Sequence, residues 1–301
     1  MTGALSVVSA ALPPSVRAEA GRGGLPRLVV ATASAAAEVY LQGAHLTSWV
    51  PAGHEPVIWM SQHSTFAPGS ALRGGVPVCF PWFGPHPSDG APLHGFARIS
   101  DWTLTHVAEE GDDVRLTLTL TDTDTSRSTV WPYPFAARYL VTLGASLTLA
   151  LEVENTGAEE ITFDEAFHTY LHVGDVRTTS ITGLEQSRYV DRLAPPEWHP
   201  PDGETLGLTA ESDRLYEQPG SITVVDPADG RSLQVVAQGS ANAVVWNPWI
   251  AKATAMDDFG DDEWTQMVCV ETCNVLDRAI TLGPGQRHTM AVTITGRPLG
   301  P

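Results

Sequence analysis

The chain contains a single lysine, Lys252, and its 17 lysines and arginines are outnumbered by 35 aspartates and glutamates. No face of such a chain can carry the broad basic stripe that a phosphate backbone requires, which excludes nucleic-acid binding. The formal net charge of −18 also repels anionic membranes and anionic small molecules at long range, so a phosphorylated ligand would need arginines gathered locally. Cysteine is scarce. Cys79, Cys269 and Cys273 are odd in number and lie in apolar or motif-like settings, which predicts reduced thiols in a cytoplasmic protein rather than a disulfide framework. Cys269 and Cys273 are not read as metal ligands, because i, i+4 cysteines in a strand-like run do not close a four-ligand site. Nowhere does a run of ~18 apolar residues occur, so no membrane span is expected. Residues 1–20 include Leu5, Val7 and Val8 but no charged n-region and no long apolar core. Residues 1–24 therefore read as a partly disordered tail, not a signal peptide.

Helical periodicity is also missing; the recurring period is two. Leu116, Leu118 and Leu120 alternate with threonines, Leu147, Leu149, Leu151 and Val153 alternate with polar or small residues, and Met290, Val292 and Ile294 repeat the pattern. These are half-buried antiparallel strands. Turn signals at 110–113, 143–145, 155–157 and 229–230 leave no room for crossover helices. With 43% hydrophobic residues there is material for one sizeable core, and all-β units of this length fold as one domain, expected here over 25–301. The proline-rich stretch 195–201 reads as a loop and the acidic segment 257–263 as a solvated excursion.

Two segments exceed what a connector needs: Arg73-Gly74-Gly75-Val76-Pro77-Val78-Cys79-Phe80-Pro81-Trp82-Phe83-Gly84 and Pro92-Leu93-His94-Gly95-Phe96-Ala97-Arg98. They combine rigid prolines, permissive glycines, aromatics and isolated cations. Aromatic faces beside a few fixed polar groups suit a sugar, which offers an apolar C–H face and a polar rim; a loop packed on a sandwich edge has the same composition.

These segments, followed by Val245-Trp246-Asn247-Pro248-Trp249, Met256-Asp257-Asp258-Phe259-Gly260 and Val268-Cys269-Val270-Glu271-Thr272-Cys273-Asn274, resemble in content and order the signature blocks of the glucose-6-phosphate 1-epimerase branch of the aldose 1-epimerase superfamily. The resemblance runs from about residue 25 to the C-terminus, and several separated blocks in order are far more specific than one motif. It implies a galactose-mutarotase-like supersandwich with the site in a concave cleft. It also implies cofactor-free interconversion of the α and β anomers of a hexose 6-phosphate, by a monomer, with neither a metal nor a membrane involved. Cys273 departs from the pattern, where a small residue is expected.

Anomerisation needs a base for the C1 hydroxyl proton and an acid for the ring oxygen O5. The resemblance places the base at Glu271, which interrupts an apolar run; a strand-edge glutamate facing water is the bland reading. It places the acid at His168, whose ordinary pKa of roughly 6.5 suits a reversible proton donor. On a strand His168, Tyr170 and His172 would share one face, so the residues alone do not separate His168 from His172. His94 is implied as a second active-site histidine that holds the sugar. Asp213 is implied as an acceptor for sugar hydroxyls, with an ion pair to Arg214 or another arginine as the alternative. Arg73 and Arg98 are the phosphate candidates, because planar guanidinium groups take phosphoryl oxygens bidentately. Lys252 reads as a solvated lysine, and Trp82 and Trp249 suit either sugar stacking or the core. An epimerase of unphosphorylated aldoses and a non-catalytic carbohydrate-binding sandwich remain as alternatives.

Overall fold

The computed structural model describes residues 12–300 apart from Thr129 and Gln218. Antiparallel strands dominate, and the one α-helix among the described residues is the short Trp249–Thr254. A nine-stranded sheet follows the order Leu206–Gly207, Ser180–Thr182, Ile222–Asp226, Arg231–Gln238, Arg287–Pro298, Leu147–Asn155, Phe135–Leu143, Asp113–Thr121, Thr103–Glu110. Its central strands bury alternate residues, as the period-two pattern requires: Leu147, Leu149, Leu151 and Val153 are inaccessible while their neighbours are half-buried. No described helix is long and apolar enough to cross a membrane.

An eight-stranded sheet packs against this layer. Its path runs Trp198–His199, Tyr189–Asp191, Ser212–Glu217, Asn242–Asn247, Met267–Asn274, Glu165–Phe167 and Val78–Cys79, with Tyr170–His172 also pairing Met267–Asn274. Every residue of Met267–Asn274 is buried. One face of this sheet meets the core, where Phe167 lies 5.5 Å from the Tyr139 ring of the nine-stranded sheet. The other face lines a cavity.

The N-terminal expectation is corrected in part. Val16–Ala20 pairs with Pro26–Ala31 at the edge of a four-stranded antiparallel sheet, so the span 12–24 is folded against the domain; residues 1–11 lie outside the described residues. The loop reading of 195–201 is likewise modified by the short edge strand Trp198–His199. The acidic segment is not a free excursion. Phe259 is buried against Trp59, Asp258 pairs with Arg73, and Glu263 accepts from Ser61 Oγ and from the Gln62 and Gly260 N–H groups. Its aromatic anchor and its partners outweigh its charge, and only Asp257, Asp261 and Asp262 face water.

Asn155 ties the end of its strand to the following turn and to Ile280–Leu282 at the rim of the sandwich. Its amide donates to the Glu159 and Leu282 carbonyls and its oxygen accepts from Gly157 N–H, at 2.7–2.9 Å and with no exposure. Asn155→Ala would leave the buried Leu282 carbonyl without this partner, at a cost of about 1–3 kcal/mol before relaxation, while the Glu159 carbonyl and Gly157 N–H can turn to water. The expected result is a lower urea midpoint with an unchanged denaturant slope; an unchanged midpoint would mean that water replaces the side chain.

Candidate active site

Sheet register assembles the site. Phe167 pairs with Thr272 and Tyr170 with Cys269, so the antiparallel count places His168 directly across from Glu271. Side chains opposite each other on neighbouring strands point to the same face. The adjacent row on that face is Asp213, Trp246, Cys269 and Tyr170. Arg192, whose N–H donates to the Asp213 carbonyl at 2.8 Å, extends this row beyond Tyr189–Asp191. Two parallel rows thus present an acid, a histidine, a second acid and an arginine to one cavity of about 220 Å³. That is below the roughly 300–1,000 Å³ of drug-sized sites and suits a monosaccharide.

The two glycine-bearing segments close the cavity from above. Arg73 enters from the loop that Gly75 allows to pass. Gly75 has φ +69°, and a Cβ there would stand 2.4 Å from His45 Nε2. Gly95, at φ +75°, lies so close to the Phe80 carbonyl that a Cβ would fall 2.1 Å from its oxygen. Its neighbour His94 holds a left-handed φ of +60° without being glycine, a conformation that ordinarily costs energy and tends to mark functional positions.

Each sequence-named residue has a definite place. Glu271, 1% exposed, holds Oε1 3.4 Å from His168 Nε2, while Glu271 Oε2 and His168 Nδ1 find no partner among the described residues. Burial, reinforced by the Asp213 charge, raises the Glu271 pKa well above the usual carboxylate range. Burial, with His94, Arg73 and Arg98 nearby, lowers that of His168 well below the usual imidazole range. The His168 ring stacks on Tyr170 with centroids 4.8 Å apart and planes 11° apart, and meets the edge of Trp246. His94 has its pKa lowered to about 3 by burial and the cations Arg98, Arg192 and Arg73. Because the Gly84 N–H can only donate, its 3.1 Å bond to His94 Nδ1 leaves the ring proton of neutral His94 on Nε2.

Asp213 pairs with Arg192 at 3.6 Å rather than with Arg214. Arg73 lines the cavity, tied to both carboxylate oxygens of Asp258 and to the Tyr170 hydroxyl. Arg98 does not line it. It sits in the turn Ala97–Ile99, half-buried, with its charge close to Cys79 and Arg73 and near enough to His94 and His168 to lower their pKa values. Lys252 is the reverse case: it lines the cavity and pairs with Glu211 at 3.1 Å, so it is not merely a solvated lysine. Trp82 and Trp249 belong to packing against Phe96 and Trp264, and the tryptophan in the cavity wall is Trp246.

Sequence reasoning missed Arg192 and Trp246 as site residues; only the strand register, which places both in the row of Asp213, could have found them. His172 is separated from His168 by two rows and instead faces Asp229 and Arg231. Among the described residues no three His, Cys, Asp or Glu side chains converge as metal ligands. A wider groove of about 700 Å³ beside the cavity shares Met256 with it; both oxygens of its Glu263 are engaged, and its Asp257, Asp261 and Asp262 face water.

Comparison with known proteins gives a consistent assignment. The aldose 1-epimerase family model matches residues 27–295. An Escherichia coli (strain K12) protein named "Putative glucose-6-phosphate 1-epimerase" is 38% identical over 82% of this chain and 83% of its own length. A Cenchrus ciliaris protein of the same name is 33% identical over 91% of this chain and 86% of its own. The crystal structure of a "putative mutarotase" (YeaD) from Salmonella typhimurium superposes with a TM-score of 0.88 at 32% identity, covering 98% of this chain and 97% of that one.

Proposed function

The chain belongs to the aldose 1-epimerase family, and from that premise we propose that it interconverts the α and β anomers of a hexose 6-phosphate, chiefly glucose 6-phosphate, with Glu271 as base and His168 as acid. It is an isomerase of the mutarotase type. The observation that carries the assignment of roles is the cross-strand pair itself: two proton carriers 3.4 Å apart on one row of a sheet, facing a monosaccharide-sized cavity.

Glu271 takes the proton of the C1 hydroxyl while His168 gives one to O5. The C1–O5 bond breaks, the open-chain aldehyde rotates about C1–C2, and reclosure on the other face reverses both transfers. The net proton movement on the protein is from His168 to Glu271. Burial favours the neutral form of each group, so ring opening takes the pair to its favoured protonation state, while the closed ring meets the proton on His168, the distribution that the bound sugar has to stabilise. His94, with its proton on Nε2, is a fixed donor to the sugar, and Asp213 is an acceptor for its hydroxyls.

The phosphate belongs with the cations of the wall. Arg73 and Lys252 stand on the side of Met256, and they supply the local positive charge that an acidic protein needs for an anionic substrate. A binding-only sandwich has no use for an acid facing a base. The test is saturation-exchange NMR of glucose 6-phosphate beside free glucose at equal concentration. Lys252→Ala and Arg73→Ala are expected to raise KM for the phosphate ester about 10–100-fold, the equivalent of one charge-assisted contact, and KM for glucose far less. Parallel loss toward both sugars would assign the two cations a structural role. Acceleration of glucose alone in the wild type would make this an epimerase of unphosphorylated aldoses.

A further inference from the structure

Asp213 presents an unusual arrangement for a half-buried carboxylate: among the described residues neither oxygen accepts a hydrogen bond, and the cation paired with it, Arg192 Nη1, stands at 3.6 Å, beyond hydrogen-bond reach. Three features keep Arg192 there. Its N–H is bonded to the Asp213 carbonyl, so the two backbones are in register. Its guanidinium lies 5.2 Å from the centre of the Phe83 ring, a cation–π seat that fixes its height over the sheet. Phe83 is itself pinned, because its N–H donates to Asp164 Oδ2, and Asp164 also accepts from Leu276 N–H.

The other cations of the cavity are engaged. Arg73 is bound to Asp258 and Tyr170, and Lys252 to Glu211. Arg192 alone among them stands off its carboxylate, at 3.6 Å where Arg73 and Lys252 approach theirs to 3.1 Å. We propose that Arg192 is a positioning residue for substrate: seated on Phe83, it supplies counter-charge to Asp213 while leaving both carboxylate oxygens open to sugar hydroxyls. A tight bidentate pair would neutralise the acid and also occupy its lone pairs; a stand-off pair does only the first.

The electrostatics of the surroundings agree with the geometry. Burial raises the Asp213 pKa, with Glu211 and Asp191 adding in the same direction, and Arg192 followed by Lys252 opposes them. Glu271, two strands away beyond Asn242–Asn247 and one row along, carries a charge that opposes that of Asp213, and Arg192 offsets it there. Without Arg192 the Asp213 carboxyl would hold its proton to higher pH and would no longer be a pure acceptor.

This inference rests on the proposed role of Asp213, and the experiment separates the two. KM for glucose 6-phosphate is measured against pH for the wild type, Arg192→Met, Arg192→Lys and Asp213→Asn, with thermal unfolding confirming each fold. For Arg192→Met the acidic limb of the KM profile is expected to move up by about one pH unit, which raises KM about tenfold on that limb and leaves the alkaline plateau near wild type. Arg192→Lys restores the profile in part, and Phe83→Leu, which removes the seat together with the ring contact to His94, shifts it in the same direction. An Arg192→Met profile that is unchanged, or raised equally at every pH, overturns the inference. If Asp213→Asn leaves KM unaltered, the assignment of Asp213 itself falls; if it raises KM while Arg192→Met follows the wild type, only the role of Arg192 falls.

Discussion

Replacing Glu271 by glutamine is expected to lower kcat about 10²–10⁴-fold while glucose 6-phosphate still binds. The amide has the same shape and can occupy the same row of the sheet, but it cannot accept the C1 proton. Burial and Asp213 raise the pKa of the acid form, so the acidic limb of kcat in the wild type should lie above the ordinary glutamate value of 4.5. Stability gives an independent readout. A carboxyl whose folded pKa exceeds its unfolded value contributes most below the unfolded pKa, and that contribution is lost as pH rises through the folded pKa. At pH 8 the wild type therefore carries a penalty that Glu271→Gln lacks, and the variant should melt no lower than the wild type. A merely structural Glu271 would give the opposite pair of results: turnover retained over the uncatalysed rate, and a lower melting temperature. The combination expected here, stability kept and activity lost, is that of a site held against its local preference.

The strands that could be read from the sequence are those with one face in the core and the other half-buried. Asp113–Thr121, Leu147–Asn155 and Arg287–Pro298 alternate because burial alternates. Met267–Asn274 and Asn242–Asn247 do not alternate, since a cavity wall is as inaccessible as a core, and Glu271, Asn247 and Asn274 sit in them without any polar face to announce it. Val16–Ala20 alternates Val16, Ala18 and Ala20 with Arg17 and Glu19, but the run is short and its apolar residues small, with Val16 alone buried, and it pairs along the edge of Pro26–Ala31. The two arginines show the limit of reading composition. Arg73 and Arg98 occupy equivalent-looking glycine-bearing loops, yet Arg98, in the turn Ala97–Ile99, does not line the cavity while the passage at Gly75 sends Arg73 into it. Arg192, in a loop with no motif, arrives beside Asp213 through backbone register alone. Residue types told which chemistry was available; long-range strand pairing decided which side chains perform it.

The same reasoning separates two histidines that the sequence leaves equal. His168→Gln is expected to lower kcat about 10²–10⁴-fold, whereas His172→Gln leaves turnover at the wild-type level. His168 lies at the break between Glu165–Phe167 and Tyr170–His172, and His172 ends the second of these strands. The register puts His168 across from Glu271 and His172 across from Met267, where its ring meets Asp229 and Arg231 at the far side of the sheet. Tyr170 lies between them, stacked on His168 and bonded to Arg73, so it orients the acid without competing for its proton; burial keeps its phenol protonated. Loss of His172 should instead register as stability, because the Arg231 guanidinium, bonded to the Glu55 and Pro56 carbonyls and to the His172 ring, would lose one partner. Saturation-exchange rates and thermal melts of the two variants decide the matter together. A His168→Gln enzyme with wild-type turnover, or a His172→Gln enzyme without any, would transfer the acid role away from the row that holds Glu271.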